Sequence, residues 1–134
     1  KSGTIKNIRF FNVTAKGENG VLIHGNADNI IEDVTFENCQ ICLTKTSKWQ
    51  CGLYDLRPCL DWGVEKYDNS AFFIRYAKNV LIEKTKTSWG NLCDNYKYAI
   101  DAENVENLEL VRFSGKAARP ELENVRLNNV RLVK

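Results

Sequence analysis

Asp101 and Glu103 form the best local pair of acidic residues in the sequence. Glycoside hydrolysis requires two carboxyl groups about 5–10 Å apart at one bond. If the segment is extended, both carboxylates face the same side, because alternate residues of a strand share a face. Charged side chains are mostly solvated, however, so we interpret the pair as part of a solvated turn and predict no catalytic residue. Three other acids near aromatic residues have no acidic neighbour: Asp55, Asp61 and Asp94.

A binding surface for a sugar is the second chemistry that the residue types support. Aromatic side chains are concentrated in residues 44–69 and again in residues 89–96. Flat aromatic faces suit sugar rings, and the guanidinium of arginine suits carboxylates through paired hydrogen bonds. The alternative is that these aromatic side chains only pack the two segments onto the rest of the fold. The predicted substrate-binding residues are Trp49, Tyr54, Asp55, Arg57, Trp62, Arg75 and Trp89.

His24 and the five cysteines offer little further chemistry. His24 ends an apolar run and is most simply a polar residue at a strand end. Cys39 and Cys42 have the spacing of metal ligands, but residues three apart on a strand face opposite sides. We therefore predict buried or free thiols, with a Cys51–Cys59 disulfide and a zinc site as the less favoured alternatives. No metal and no cofactor is predicted.

A sequence repeat indicates how these side chains are positioned. One apolar skeleton returns five times: apolar, two residues, apolar, one residue, apolar, two residues, apolar. Counted from the second apolar position, the steps are 26, 46, 28 and 17 residues. Repeats of about 20–50 residues are typical of solenoids. The copies are residues 5–13, 31–39, 77–85, 105–113 and 122–130.

Apolar and polar residues alternate within each copy, which predicts short strands. A strand, a turn and a return one repeat later describe a parallel β-helix with neighbouring coils about 4.8 Å apart. Asparagine tolerates the left-handed conformation, so equivalent turns can form a ladder of asparagines. The slot before the last apolar residue holds, in chain order, Asn12, Asn38, Lys84, Arg112 and Asn129. The predicted fold is an all-β solenoid of about five coils, one domain over residues 1–134, with residues 44–69 as an inserted loop.

Charge and hydropathy argue against two classes of partner. The 19 basic and 17 acidic residues leave a net charge of +2 without a basic block, so no nucleic acid is predicted. No apolar run reaches about 18 residues and no signal peptide begins at Lys1, so no membrane is predicted. The first copy starts at Ile5 without a polar cap, which solenoids normally need. We therefore expect either a part of a longer solenoid or a homodimer that forms through the N-terminal coil.

Five segments carry a resemblance to a known family: GTIKNIRFFNVTAKGENGVLIHG, NIIEDVTFENCQICL, LYDLRP, SAFFIRYAKNVLIEKTKTSWG and YAIDAENVENLELVRFSG. Together they cover nearly the whole chain and are similar to the late, C-terminal coils of glycoside hydrolase family 28, the polygalacturonases. The resemblance implies a right-handed β-helix and inverting hydrolysis of pectic galacturonans by three aspartates. The family's Asn-Thr-Asp, Asp-Asp, Gly-His-Gly and Arg-Ile-Lys motifs are absent, and Ile23-His24-Gly25 lacks the leading glycine of the third.

The predicted function is that of the C-terminal β-helical portion of a pectin-active glycoside hydrolase. This portion would supply scaffold and a wall of the substrate groove without being catalytic by itself. Its expected partner is an acidic plant polysaccharide or oligosaccharide. The alternative is a non-catalytic carbohydrate-binding or structural, self-assembling β-helix. A polysaccharide lyase would need a cluster of Ca²⁺-binding acids, which the sequence lacks.

Overall fold

The described residues, 3–55 and 64–133 of this computed structural model, form strands and no helix, and so none that could span a membrane. The predicted all-β class is confirmed for these residues. The strands are β1 (Lys6–Phe11), β2 (Thr14–Gly17), β3 (Val21–His24), β4 (Ile31–Glu37), β5 (Gln40–Leu43), β6 (Leu53–Asp55), β7 (Val64–Lys66), β8 (Phe72–Glu83), β9 (Lys86–Trp89), β10 (Ile100–Val111) and β11 (Val125–Val133).

The larger sheet is parallel throughout and follows the order β1, β4, β8, β10, β11. Strand β3 also pairs with the start of β8, with Val21 beside Phe72, and β4 pairs with its remainder, with Ile31 beside Ala77. Parallel neighbours require long connections, because a tight hairpin can join only antiparallel strands. Each strand therefore pairs with a segment that lies far away along the chain.

Two smaller sheets complete the described structure. Strands β2, β5 and β9 form a second parallel sheet, in which Gln40 lies between Thr14 and Lys86. Strands β6 and β7 pair in antiparallel fashion inside the long segment 44–69. The chain visits the larger and the second sheet in turn, so their strands come from the same successive stretches of sequence.

The first four sequence copies pair as predicted. Ile8 lies beside Val34, Val34 beside Val80, and Val80 beside Leu108. These partners are separated by the predicted steps of 26, 46 and 28 residues. The apolar spacing therefore sets the register of β1, β4, β8 and β10.

The predicted register of the fifth copy was wrong. Leu108 pairs with Leu132 and not with Val125, which lies beside Ile100. Strand β11 alternates apolar and polar residues over most of its length, so the skeleton fits it in more than one position. A shift in register after Val105 adds to the ambiguity.

The core combines inward side chains of the larger sheet with buried residues of the second sheet, such as Ile41 and Leu43. Phe36 is buried, its ring stacks on Phe10 at 4.7 Å between centroids, and it meets Phe72 edge-on at 5.1 Å. Ile82 is its register partner on the other side, as predicted. On β1 the covering is incomplete, because Phe10 remains 40% exposed and Phe11 50%.

Residues in the left-handed conformation mark the bends, and most of them are asparagine. Asn38 donates a side-chain hydrogen bond to Asn12 at 2.8 Å, as the predicted ladder requires. Asn129 was assigned to the wrong row, because it donates to Asn104 at 2.6 Å in a different bend. This error follows from the misplaced register of the fifth copy.

One disulfide joins the two aromatic segments. It links Cys51 to Cys93 across a Cα–Cα distance of 6.8 Å. The favoured prediction of thiols was therefore wrong for Cys51 and Cys93, and so was the alternative of a Cys51–Cys59 bridge. Cys59 itself lies outside the described residues. Cys39 is buried and Cys42 partly buried, and both are free thiols, as predicted.

Candidate functional site

Two rows of side chains project outward where β3, β8, β10 and β11 lie side by side. Ile23, Ile74 and Ala102 are register partners buried in the core, so the residues next to them face the other way. The first outward row is Leu22, Phe73, Asp101 and Arg126, and the second is His24, Arg75, Glu103 and Asn128.

Four charged residues of these rows form one ion-paired group, the arginine–carboxylate cluster: Arg75, Asp101, Glu103 and Arg126. Arg126 Nη1 lies 2.6 Å from Asp101 Oδ1 and 2.8 Å from Glu103 Oε2. Arg75 Nη1 lies 3.2 Å from the same oxygen of Asp101, and its Nη2 lies 3.5 Å from Glu103 Oε2. Each carboxylate therefore contacts both arginines.

The interpretation of Asp101 and Glu103 as a solvated turn was wrong. Both residues lie within β10, and the side chain of Asp101 is only 8% exposed. Parallel pairing places a strand with an arginine on each side of β10, and these arginines cover the carboxylates. A buried carboxylate requires such partners, because leaving one without them costs several kcal/mol.

Arg75 is held in place by more than its ion pairs. Its Nη1 donates to the carbonyl oxygens of Ile74 and Asp101, each at 3.0 Å. The guanidinium carbon lies 3.9 Å from the centre of the Phe73 ring, within the range of a cation–π contact. With its side chain 11% exposed, Arg75 has a fixed orientation before any ligand arrives.

Arg126 has a defined electrostatic environment within the cluster. Burial lowers the pKa of Arg126, but hydrogen bonds with Glu103 and Asp101 outweigh that effect and raise the pKa overall. Both carboxyl groups of the cluster are therefore held against guanidinium groups.

A group of rings adjoins the charged residues and is called here the aromatic cluster: His24, Tyr54, Tyr67 and Phe73. Phe73 is central, with ring centroids of Tyr67 at 4.9 Å and Tyr54 at 5.3 Å. The His24 ring lies 6.4 Å from Phe73 and 6.3 Å from Tyr67. Phe73 and Tyr54 are buried, Tyr67 is partly buried and His24 is exposed. The outer edge of the cluster is therefore formed by Tyr67 and His24.

The segment that carries the two tyrosines is anchored at its base. The backbone N–H of Tyr67 donates to the carbonyl of Gly52 at 3.1 Å, and the N–H of Gly52 donates to Asn69 Oδ1 at 2.9 Å. Gly52 has a φ of 81°, which other residues rarely adopt. The disulfide of the preceding residue, Cys51, attaches this base to Cys93.

Two polar groups of the aromatic cluster have defined environments. The Tyr54 hydroxyl is buried, and no described residue meets hydrogen-bond geometry with it. Burial raises the pKa of Tyr54, and Asn69 and the backbone of Ser70, which lie close by, offset this only in part. His24 ends β3, as predicted, and its Nδ1 donates to the carbonyl oxygen of Gly25 at 2.8 Å.

The structure brings together only some of the predicted binding residues. Tyr54 and Arg75 meet through Phe73. Trp49 is not among the rings of the aromatic cluster. It is 72% exposed, and the Lys48 ammonium lies 5.6 Å from its ring centre.

Trp89 belongs to the second sheet rather than to the predicted site. It packs on Tyr96 at 5.3 Å and donates from Nε1 to the carbonyl of Lys116 at 2.8 Å. Asp55 lies on β6, but its side chain is outside what the structure describes, and so are Arg57 and Trp62.

Sequence reasoning missed Phe73 and Arg126, and assigned no binding role to Glu103. A usable signal existed for Glu103, because the step of 28 residues that aligns the third and fourth copies carries Arg75 onto it. The same step carries Phe73 onto Asp101. Arg126 could not be found in this way, since the register of the fifth copy was wrong.

A second polar group surrounds the Glu18 carboxylate. It accepts hydrogen bonds from Lys45 Nζ at 2.7 Å, from Thr46 Oγ1 at 2.9 Å and from the backbone N–H of Ser47 at 2.7 Å. These contacts, Lys45 foremost, lower the pKa of Glu18 to about 2. Lys45 also donates to the carbonyl of Trp49. The arrangement fixes the turn after β5 and offers no free carboxylate oxygen for chemistry.

Over residues 3–55 and 64–133, no three His, Cys, Asp or Glu side chains are grouped so as to hold a metal ion. Comparison of the chain with protein-family models, with curated proteins and with solved structures found no match.

Proposed function

We propose that the chain is a right-handed parallel β-helix of about five coils and the C-terminal part of a longer solenoid. The two parallel sheets, visited in turn by successive stretches of sequence, support this architecture. In this proposal it is the C-terminal portion of a pectin-active, polygalacturonase-like glycoside hydrolase. It supplies scaffold and one wall of the substrate groove.

The observation that carries the proposal is the contact between the two clusters. The Arg75 guanidinium lies on the Phe73 ring, so aromatic faces and paired polar groups adjoin on one outward sheet face. Sugar binding draws on both, because a pyranose ring has apolar C–H faces and hydroxyl groups around its edge. The partly exposed members, Tyr67, Glu103 and Arg126, are the groups that a ligand would contact.

The non-catalytic character of this portion follows from the pairing of its carboxylates. Asp101 and Glu103 each contact both arginines, so neither carboxyl group is free of ion pairs. We therefore expect the isolated chain to release no reducing ends from polygalacturonate. Turnover that disappears on Asp101→Asn substitution would contradict this assignment.

Binding is tested with partially methyl-esterified pectin fragments and isothermal titration calorimetry. Tyr67→Ala removes the partly exposed ring of the aromatic cluster, and we expect at least about tenfold weaker binding. Trp49→Ala is the matched control, since it removes an exposed ring outside the cluster, and affinity should stay within about twofold. The reverse pattern would place the binding surface elsewhere.

A second candidate function, a structural and self-assembling module, is favoured by the surface of β1. This edge strand pairs only with β4 among the described residues and exposes Phe10 and Phe11. Exposed edges invite pairing with another chain, and we propose that a second copy pairs there to form a two-fold homodimer. Sedimentation velocity should detect a dimer that Phe11→Ser weakens, and a strict monomer would exclude this function.

A further inference from the structure

We infer that the joined clusters bind a neutral glycosyl unit, a methyl-esterified uronate or a neutral hexose, in preference to a free uronate. This inference rests on the proposed function and changes the ligand expected from the sequence. Arg75 was predicted as a residue that binds an acidic polysaccharide or oligosaccharide. It pairs instead with the chain's own Asp101 and Glu103, at 3.2 and 3.5 Å.

The charges at the site already cancel before a ligand binds. Arg126 Nη1 contacts both carboxylates within 2.8 Å, so its charge is engaged from two sides. Arg75 donates in addition to two backbone carbonyls. A uronate carboxylate would bring a third negative charge against two positive ones. It would lose hydration without gaining an unpaired cation, which is the unfavourable case for burying an ion.

Hydroxyl groups fit the same surroundings better, because each can donate and accept. The Glu103 carboxylate, 27% exposed, offers an acceptor, and the Arg126 guanidinium, 29% exposed, offers donors beside it. An adjacent donor and acceptor match two neighbouring sugar hydroxyls. No charge has to be neutralised by the ligand in this arrangement.

The aromatic cluster supplies the apolar part of the site. His24 and Glu103 lie in the same outward row, two strands apart, with Arg75 between them. Two strand spacings amount to about 10 Å, which is about the length of a disaccharide. One ring can therefore lie against His24 and Tyr67 while its neighbour contacts Glu103 and Arg126.

The test compares three ligands of equal length by calorimetry at fixed ionic strength: methyl-esterified oligogalacturonate, its de-esterified form and a neutral galactan oligosaccharide. We expect the de-esterified form to bind at least about tenfold more weakly than the methyl ester. Binding of the galactan as well as the ester assigns the site to neutral sugars in general. Binding of the ester alone assigns it to esterified pectin.

Charge variants separate a local effect from a global one. Glu103→Gln leaves the site with a net positive charge, and we expect the penalty on the de-esterified ligand to fall to about threefold or less. Glu106→Gln is the matched control, because it removes the same charge from the same strand in an exposed pair with Arg131. This control should keep the wild-type preference.

A second variant, which changes the charge of the site in the opposite direction, tests the inference if Glu103→Gln does not fold. Arg126→Gln makes the site net negative and should deepen the penalty, whereas Arg131→Gln should not. Tighter binding of the de-esterified ligand to the wild type would overturn the inference but leave the proposed groove wall intact. Equal shifts in variant and control would also overturn it. If none of the three ligands binds, both this inference and the proposed function are contradicted.

Discussion

Removing the Asp101 charge is the sharpest test of how the outward face is organised. In Asp101→Asn, the amide oxygen can still accept one hydrogen bond, but two guanidinium groups lose the carboxylate between them. Breaking a buried ion pair by removing one partner costs about 3–5 kcal/mol when the remaining charge has no other contact.

Here the remaining charges do keep other contacts. Arg126 still meets Glu103 at 2.8 Å, and Arg75 still donates to two carbonyls at 3.0 Å and lies on Phe73. A hydrogen bond to a charged group contributes about 1.5–3 kcal/mol, and the amide retains part of it. We therefore expect Asp101→Asn to lower the free energy of unfolding by about 2–3 kcal/mol.

Urea denaturation followed by circular dichroism measures this loss, with the slope m required to stay constant. Glu106→Gln is the control, because its exposed pair with Arg131 at 3.3 Å should contribute about 0–1 kcal/mol. A double-mutant cycle of Asp101→Asn with Arg126→Met should give a coupling energy of about 1–2 kcal/mol. A loss no larger than that of the control, with no coupling, would refute the ion-paired cluster.

Three further results are expected. Phe36→Ala should lower the free energy of unfolding, measured by urea denaturation, by about 3–5 kcal/mol. The exposed control Phe11→Ala should lower it by less than about 1 kcal/mol. Equal losses would contradict the core register. The pKa of Glu18 is about 2 in the fold against 4.5 when unperturbed. The contribution of Glu18 to the free energy of unfolding should therefore be complete above about pH 4.5 and should disappear as the pH falls toward 2. The difference in unfolding free energy between wild type and Glu18→Gln should shrink over that range. A difference that does not depend on pH would contradict this. Replacing Cys51 and Cys93 by serine should cost about 3–4 kcal/mol for a loop of this length, and wild type under reductant should match the variant.

Much of the sheet could be predicted because the signal for it is local. Inward residues of a parallel strand must be apolar at fixed intervals, so four copies of the skeleton locate β1, β4, β8 and β10 and their register. The same reasoning fails in β11, where apolar residues recur at almost every second position from Val125 to Val133. A pattern that fits at several positions cannot choose among them.

The disulfide and the aromatic cluster could not be predicted for a different reason. Cys51 and Cys93 lie in segments without a repeat, 42 residues apart, and nothing in the strand pattern states how such segments fold back. Tyr67 reaches Phe73 through the same long segment. Aromatic composition pointed to Tyr54, which lies in the aromatic cluster, and equally to Trp49 and Trp89, which have other contacts.

The meaning of the acidic pair depends on its neighbours in space rather than in sequence. Among their neighbours in the sequence, Asp101 and Glu103 have no charged partner and therefore resemble solvated residues. In the folded sheet, an arginine on β8 and another on β11 contact both carboxylates. These arginines lie 26 residues before Asp101 and 25 residues after it. Each arginine alone would predict an anion site, and each acid alone a candidate for catalysis. Only the register shows that the four groups satisfy one another, and this mutual pairing is the basis of the ligand preference that we propose.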